Sequence, residues 1–496
     1  MSHRPKRAGT ALTSGANSSD STAPAAMMAP PSQYARIMGA HDLDELLAAT
    51  YRGKKWIVAV EAAAAATELV DRLRSWGADD VMVVAGAEGV GQLPVAVPIF
   101  STRTTGTTVM QGVRAYLASI DRPAADLVAA VDAFDPDRRA RVIGSQFLRA
   151  GEVVGRPVYG GRSAPWAALE DKTIIDDMWD RAGVARAPSE VVSVADAPAA
   201  ASGLAGPQGS VWVADNRDGW HGGAEYTRWL PDAAGARGAV EWFAPRCRRL
   251  RVMPFLDGIP CSIHGFVASD GTAVFRPVEM LILRRTDRPA FVYAGLATFW
   301  DPPTEVRRQM RRAVRSVAAE VSSQVGYRGA FSIDGVCTSS GFLPTELNPR
   351  LSPGLEMQAR TVGIPLSLAN AAYLAGDLDI SAAWLESLVV AVADARRTGG
   401  MGLPVSEIVA PADTGVVFSE AGAGPADVAG SDAILEVGPA LSGSYVRMKL
   451  DPEQIAPGPS VGPLAVAAAG LAARMWGFEL PDLEPAPDRC LDSHAK

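Results

Sequence analysis

Cysteine is scarce in this chain, and the four present, Cys247, Cys261, Cys337 and Cys490, share no short paired spacing. Neither a zinc site nor a disulfide framework is expected from such scatter. Long apolar runs are missing too: no stretch approaches about twenty uninterrupted strongly apolar residues, so no helical membrane span is expected. The first residues lack the basic-then-apolar pattern of a secretory leader, and a cytoplasmic protein is expected. Positive charge is in deficit, with 47 Lys and Arg against 55 Asp and Glu and a net charge of -8, which argues against a nucleic-acid surface. Lysine is the rarer cation: Lys172 and Lys449 are the only lysines between Lys55 and Lys496. A lysine in mid-chain therefore invites a reason.

At 496 residues the chain is too long for one ordinary core, and about three domains are expected. Residues 1–33 are Ser, Ala, Pro and Thr with almost no large apolar side chains, too little to offset chain entropy, so a disordered tail is expected. Trp56 to Val60 reads as a buried strand, Ala62 to Trp76 carries helical spacing through Ala65, Leu69 and Leu73, and Val81 to Val84 reads as a second strand. This β-α-β opening predicts an open α/β domain over residues 34–150. Gly86, Gly89 and Gly91 follow the second strand and invite a dinucleotide-binding reading, which would make the protein an oxidoreductase. The glycine order is wrong for that fingerprint, and Pro94 and Pro98 leave no clear helix, so a plain loop is the better reading.

The stretch 326–350 carries the clearest chemistry. Ala330-Phe-Ser-Ile-Asp334 alternates like a half-buried strand, Thr338 to Gly341 is rich in turn formers, and Leu343 to Leu347 returns as a second strand. In such a hairpin Asp334 would sit beside Glu346 and Asn348, which are two apart and so share a face. Two carboxylates and an amide oxygen form a hard oxygen site suited to Mg²⁺, which is usually held by a few protein oxygens plus substrate phosphates. Arg350 follows on the same face, where a guanidinium would hold a phosphoryl oxygen or a carboxylate. Spacing alone leaves a second reading equally open, an acidic hairpin rim ending in an Asn-Pro turn.

The order Asp334-Gly, short turn, Glu346-Leu-Asn348-Pro-Arg350 resembles the Mg-ATP signature of the ATP-grasp superfamily, the carboxylate-amine ligases that include D-alanine-D-alanine ligase and biotin carboxylase. The resemblance implies Asp334, Glu346 and Asn348 as ligands of the magnesium ions that bridge ATP phosphates, with Arg350 beside them. Glu170-Asp-Lys172, a helical run through Ile174, Met178 and Ala182, and a stop at Gly183 resemble the family's opening in which that lysine reaches ATP phosphates. A solvated lysine at a helix start is the alternative. Val211-Trp-Val-Ala-Asp215, a loop with Gly219, Gly222 and Gly223, and a return strand resemble the flap that closes over the triphosphate through backbone N–H groups, where glycine permits close approach. The strand before that flap usually supplies a second ATP lysine, and here Ala214 and Asp215 stand instead, leaving Arg217 as a replacement or the loop as a weaker binder. Met253-Pro-Phe255-Leu256 resembles the hinge that recognises adenine, with core packing equally open for Met253 and Phe255. His264, alone on an alternating strand, reads as a hydrogen-bonded core or cleft residue.

Glu279, Arg284 and Arg285 lie in an otherwise apolar strand, where charge is costly unless paired or ligand-bound. Arg284 is taken with Lys172 and Arg350 as a catalytic candidate, a structural Glu-Arg pair being the alternative. Thr304 to Val325 reads as a helix with an apolar stripe and an arginine-rich solvated face. Leu351 to Glu356 reads as a loop over the site, and residues 395–496 as a smaller C-terminal α+β module. The fold class expected is thus α/β and α+β multidomain: an open α/β pre-ATP-grasp domain at 34–150, an ATP-grasp domain at 151–394 and the C-terminal module.

Taken together, "Met-Pro-Phe-Leu-Asp-Gly-Ile-Pro-Cys-Ser-Ile-His-Gly", "Pro-Val-Glu-Met-Leu" and "Thr-Glu-Leu-Asn-Pro-Arg" look like the pheganomycin-type peptide ligases of natural-product biosynthesis, over roughly residues 40–480. What that implies is a ligase using ATP and Mg²⁺ to phosphorylate a small carboxylic acid and couple it to the amino group of a peptide or amino acid, releasing ADP and phosphate. A homodimer is common among such relatives. A small-molecule amino-acid ligase and a nucleotide-binding regulatory module without ligation remain as other readings.

Overall fold

A computed structural model describes residues 40–216 and 220–489. The expected disordered tail, Arg217, Gly219 and Cys490 lie outside the described residues. The described residues form one compact unit.

The run Lys55–Ala62 is a strand because its alternate residues meet two different cores. Trp56, Val58 and Val60 pack with the helices Ala40–Tyr51 and Thr67–Ser75, while Ile57 and Ala59 pack with Val109–Asp121 and Ala125–Phe134. Apolar side chains on both faces are the mark of a covered parallel sheet. Four strands pair in parallel in the order Ile99–Ser101, Asp80–Ala87, Lys55–Ala62, Arg141–Gly144. The helix expected from Ala62 begins later: Ala63–Ala66 is a single 3₁₀ turn and the α-helix runs Thr67–Ser75. Gly86 itself lies inside the strand Asp80–Ala87, and after Gly89 and Gly91 the next element is the strand Ile99–Ser101. No helix N-terminus follows to hold a pyrophosphate, in accord with the loop reading.

A second sheet is antiparallel, in the order Glu190–Ser193, Arg249–Pro254, Ser210–Ala214, Thr227–Leu230. The third holds twelve strands. It begins with the hairpin Gly329–Thr338 and Gly341–Asn348, continues through Ile259–Ala268, Val278–Arg285 and Phe291–Ala297, and passes directly to Gly399–Val405. The strands assigned above to a C-terminal module thus hydrogen-bond into the sheet that carries the hairpin. They share an apolar core with the helix Gly462–Trp476 and with Leu281, Leu283 and Ala294.

The helix Thr304–Val325 has the bounds expected, buries Met310, Val314, Val317 and Val321 behind the hairpin, and ends at Gly326 in the left-handed conformation. Its arginines are less free than a solvated face implies: Arg307 pairs with Asp394, and Arg311 with Glu386. Leu351 to Glu356 is not all loop, since the helix Pro353–Arg360 begins there, with Ser352 at its N-cap position making no side-chain hydrogen bond to it. Cys337 is disulfide-bonded, while Cys247 and Cys261 are buried. Scattered cysteines carry no spacing signal for such a bond. No helix among the described residues is long and apolar enough to cross a membrane.

Candidate active site

The hairpin register sets the geometry. Asp334 lies directly opposite Glu346, and Ser332 opposite Asn348. On the other side Ser262 faces Asp334 and His264 faces Ser332. Because side chains alternate, these six residues stand on one face in two rows of three. Two facing carboxylates repel, and what neutralises them is visible. Lys172 Nζ lies 2.8 Å from Glu346 Oε1. Asn348 Nδ2 donates to Asp334 Oδ2 at 2.8 Å, and Arg350 Nη2 donates to Asn348 Oδ1 at 2.8 Å. Burial first, and then the Glu346 charge, push Asp334 up to about 6.

Lys172 is buried and lies just before the helix Ile175–Arg181, not within it. The helix starts late because Asp171 Oδ1 accepts from both the N–H and the hydroxyl of Thr173, at 2.9 and 2.8 Å, forming a turn that competes with helix. That turn aims the lysine at the hairpin. Its other contact is the His221 carbonyl at 3.5 Å, which ties it to the glycine-rich loop.

The described part of that loop is docked on the parallel-sheet region. Arg114 makes a two-pronged pair with Glu225 at 2.7 and 2.9 Å and donates to the Trp220 carbonyl at 3.2 Å. The Trp220 ring stands 4.2 Å from that of Phe147, and Gly222 and Gly223 lie against Met110. Asp215, where a second lysine would be expected, accepts from the backbone N–H groups of Arg248 and Arg249. Its carboxylate therefore shapes a strand end and supplies no cation.

At the hinge, Met253 is buried between Val211 and Val213, as core packing requires. Phe255 joins Trp229 at 4.8 Å and Phe291 at 6.2 Å in an aromatic cluster, with Leu256 half-buried beside it. Arg284 belongs here and not with Lys172 and Arg350. Its guanidinium is 5.8 Å from the Phe255 ring and 3.8 Å from Asp257. Neither Glu279 nor Arg285 forms the Glu-Arg pair considered above. Glu279 accepts from Ser460 at 2.5 Å and from the Val461 N–H at 3.0 Å, capping the helix Gly462–Trp476, and burial pushes it up to about 7. Arg285 pairs with Asp287. His264 is fully buried, with burial pulling it down to about 3 and Nδ1 lacking a hydrogen-bond partner.

Glu170, Arg162 and Phe147 also belong to the site. Glu170 Oε1 accepts from Arg350 Nε at 3.0 Å and from Arg162 Nη1 at 2.8 Å, so one buried carboxylate holds two guanidiniums. Phe147 lies under Arg350, 5.0 Å from ring centroid to guanidinium. Glu170 was visible only as part of an acidic helix start, and Arg162 as nothing.

Among the described residues no group of three or more His, Cys, Asp or Glu side chains gathers as a metal site. The donor set at the hairpin still fits Mg²⁺, which needs only one or two carboxylates when phosphate oxygens and water complete its shell. Asp334 and Glu346 are such a facing pair, and their mutual repulsion is what a divalent cation relieves.

No family model matches the sequence. The chain is 25% identical over 122 residues to the arginine-specific large chain of carbamoyl phosphate synthase from Geobacillus stearothermophilus, a match covering 25% of this chain and 11% of that one. It spans about a tenth of the length of that curated relative. Solved structures match over far more of the chain. Biotin carboxylase from Campylobacter jejuni, in a complex with β,γ-ATP, matches at TM-score 0.53 and 12% identity over 90% of this chain and 95% of that one. Phosphoribosylamine-glycine ligase from Thermotoga maritima matches at TM-score 0.50 and 15% identity over 88% and 99%. These likenesses establish the mixed α/β, multidomain ATP-grasp fold.

Proposed function

We propose that this protein is an ATP-dependent, ADP-forming carboxylate-amine ligase that joins a small carboxylic acid to the amino group of a peptide or amino acid. The observation that carries the reading is the convergence of Lys172, Asp334, Glu346, Asn348 and Arg350 across one hairpin face. Two facing carboxylates flanked by two cations suit a nucleotide triphosphate with its cation better than an acid rim, which would expose its charges to water.

Each residue then has a task. Asp334, Glu346 and Asn348 would hold Mg²⁺, which when bound screens the phosphate charge. Lys172 leaves Glu346 for a phosphate oxygen, and Arg350 offsets charge on the phosphoryl group in transit or holds the acid carboxylate. The acid oxygen displaces ADP from the terminal phosphorus and gives an acyl phosphate. An amine attacks the acyl carbon, phosphate departs, and the amine proton is lost. The docked loop that places the His221 carbonyl near Lys172 covers this region, and cover matters because an acyl phosphate hydrolyses in water. No nucleophilic Ser or Cys is needed. The resemblance of the hinge and hairpin motifs to those of the pheganomycin-type enzymes supports a peptide as the amine and a role in natural-product assembly in the cytoplasm.

Phosphate release from Mg-ATP with a panel of acids and amines tests this. Release that requires both co-substrates and vanishes in Glu346→Ala is the expected result. Tight Mg²⁺-dependent ATP binding with no release for any pair would instead favour the regulatory reading, to which the missing second lysine points.

A further inference from the structure

A cavity of about 70 Å³ lies beside Arg350, and its lining includes Ile143, Ser145, Tyr159, Arg162 and Trp166. It sits at the carboxyl end of the strand Arg141–Gly144, which pairs with the central strand Lys55–Ala62 on the side opposite Asp80–Ala87. In open α/β sheets this switch in strand order is where ligands bind.

Hydrogen bonding at the cavity is incomplete in a specific way. Arg162 and Arg350 share the single Glu170 oxygen, so neither guanidinium has that carboxylate to itself. Arg162 is 7% exposed, and its Nε is buried without a hydrogen-bond partner. A buried donor left unpaired costs free energy that a ligand oxygen would recover. At another edge, Ser145 Oγ donates to Glu61 at 2.5 Å and accepts from the Phe147 N–H at 3.2 Å, which leaves it one lone pair for a donor from the cavity. The volume holds about five water-sized groups.

Resting on the ligase reading above, we propose that the acid substrate is a small α-amino or α-hydroxy acid seated in this cavity. Its carboxylate is held between Arg350 and Arg162, and its amino or hydroxyl group donates to Ser145. Acids the size of glycine, alanine or lactate fit, and a bulky aromatic acid does not.

The test uses the full-length protein with alanine, lactate, propionate and phenylalanine, reading both the thermal shift from acid alone and, with Mg-ATP and a fixed panel of amines present, acid-dependent phosphate release. Alanine and lactate are expected to raise the melting temperature, and phenylalanine is not. Arg162→Gln should raise the KM for alanine about 30-fold or more with the KM for ATP nearly unchanged. Ser145→Ala should weaken alanine and lactate but not propionate, which lacks the donor. Should Arg162→Gln fail to fold, the Ser145→Ala comparison decides alone. Phenylalanine accepted as well as alanine, or an alanine KM indifferent to both substitutions, overturns the proposal. Small acids that protect the protein without ever consuming ATP would leave this pocket standing and sink the ligase reading. Phosphate release indifferent to Arg162 and Ser145 would do the reverse.

Discussion

Replacing Asp334 by Asn separates the cost of the site from its use. The folded protein raises the Asp334 carboxyl from 3.8 to about 6, through burial and then through Glu346. An acid whose pKa is raised on folding binds more protons in the native than in the unfolded state. Stability is therefore lost as pH climbs from about 4 through 6 and stays lost above. A full shift corresponds to about 3 kcal/mol, and since part of Asp334 meets the cleft solvent, about 1–3 kcal/mol is expected. Asn keeps an acceptor for Asn348 Nδ2 and removes the charge facing Glu346.

In urea unfolding without divalent cation at pH 8, Asp334→Asn should therefore exceed the parent protein by about 1–3 kcal/mol. The advantage should shrink to about half by pH 5. Mg-ATP should close or reverse the gap, because saturating ligand at about a hundred times Kd adds about 2.7 kcal/mol to a protein that binds it and nothing to one that does not. Turnover in the variant should fall at least about 100-fold. A variant less stable than the parent at pH 8, or one that still turns over, refutes both the electrostatics and the placement of the metal.

Lys172→Met should raise the KM for ATP about 10- to 100-fold, measured by initial-rate phosphate release, since a buried cation beside Glu346 has no substitute nearby. Arg249 donates to Thr173 Oγ1 at 3.1 Å, next to Lys172 in sequence, and Arg249→Met should cost less than Lys172→Met; an equal loss would mean it supplies the missing second cation. Arg114→Ala breaks the pair with Glu225 and should open the glycine-rich loop to limited proteolysis in the absence of ATP, with an unchanged cleavage rate counting against the docked loop. Buried Arg276 pairs with Asp301 and Asp394 and donates to the Thr298 and Trp300 carbonyls. Arg276→Ala should destabilise by about 3–5 kcal/mol with the ATP KM of the surviving folded fraction unchanged, as chemical unfolding and kinetics together would show.

Local pattern carried far in this chain. The alternation at Ala330 to Asp334 and at Leu343 to Leu347 sufficed for the hairpin, because period-two burial and a turn-rich gap leave few other solutions. The apolar stripe through Met310, Val314, Val317 and Val321 sufficed for the helix Thr304–Val325. Failure came where a contact joins distant segments. The strand Gly399–Val405, rich in glycine, carries no strand signal of its own, and its pairing with Phe291–Ala297 was not legible either, since an edge says nothing about which partner covers it. Arg284 and Glu279 looked alike as charges in an apolar run. Only the fold reveals that one stacks at the hinge and the other caps a helix from 181 residues away.

The same limit hid Phe147, and its position has a physical consequence. One ring lies against Trp220 of the glycine-rich loop and under the guanidinium of Arg350. Arg350 in turn reaches Asn348 on one side and Glu170 on the other. A close-packed interior transmits displacement between touching groups instead of absorbing it. Any ligand that draws Arg350 toward the cavity or toward the hairpin must therefore shift Phe147, and with it the seat of Trp220. Loop docking and occupancy at Arg350 are coupled through that ring, so Phe147→Ala should weaken the dependence of loop protection on the acid more than it weakens binding of ATP.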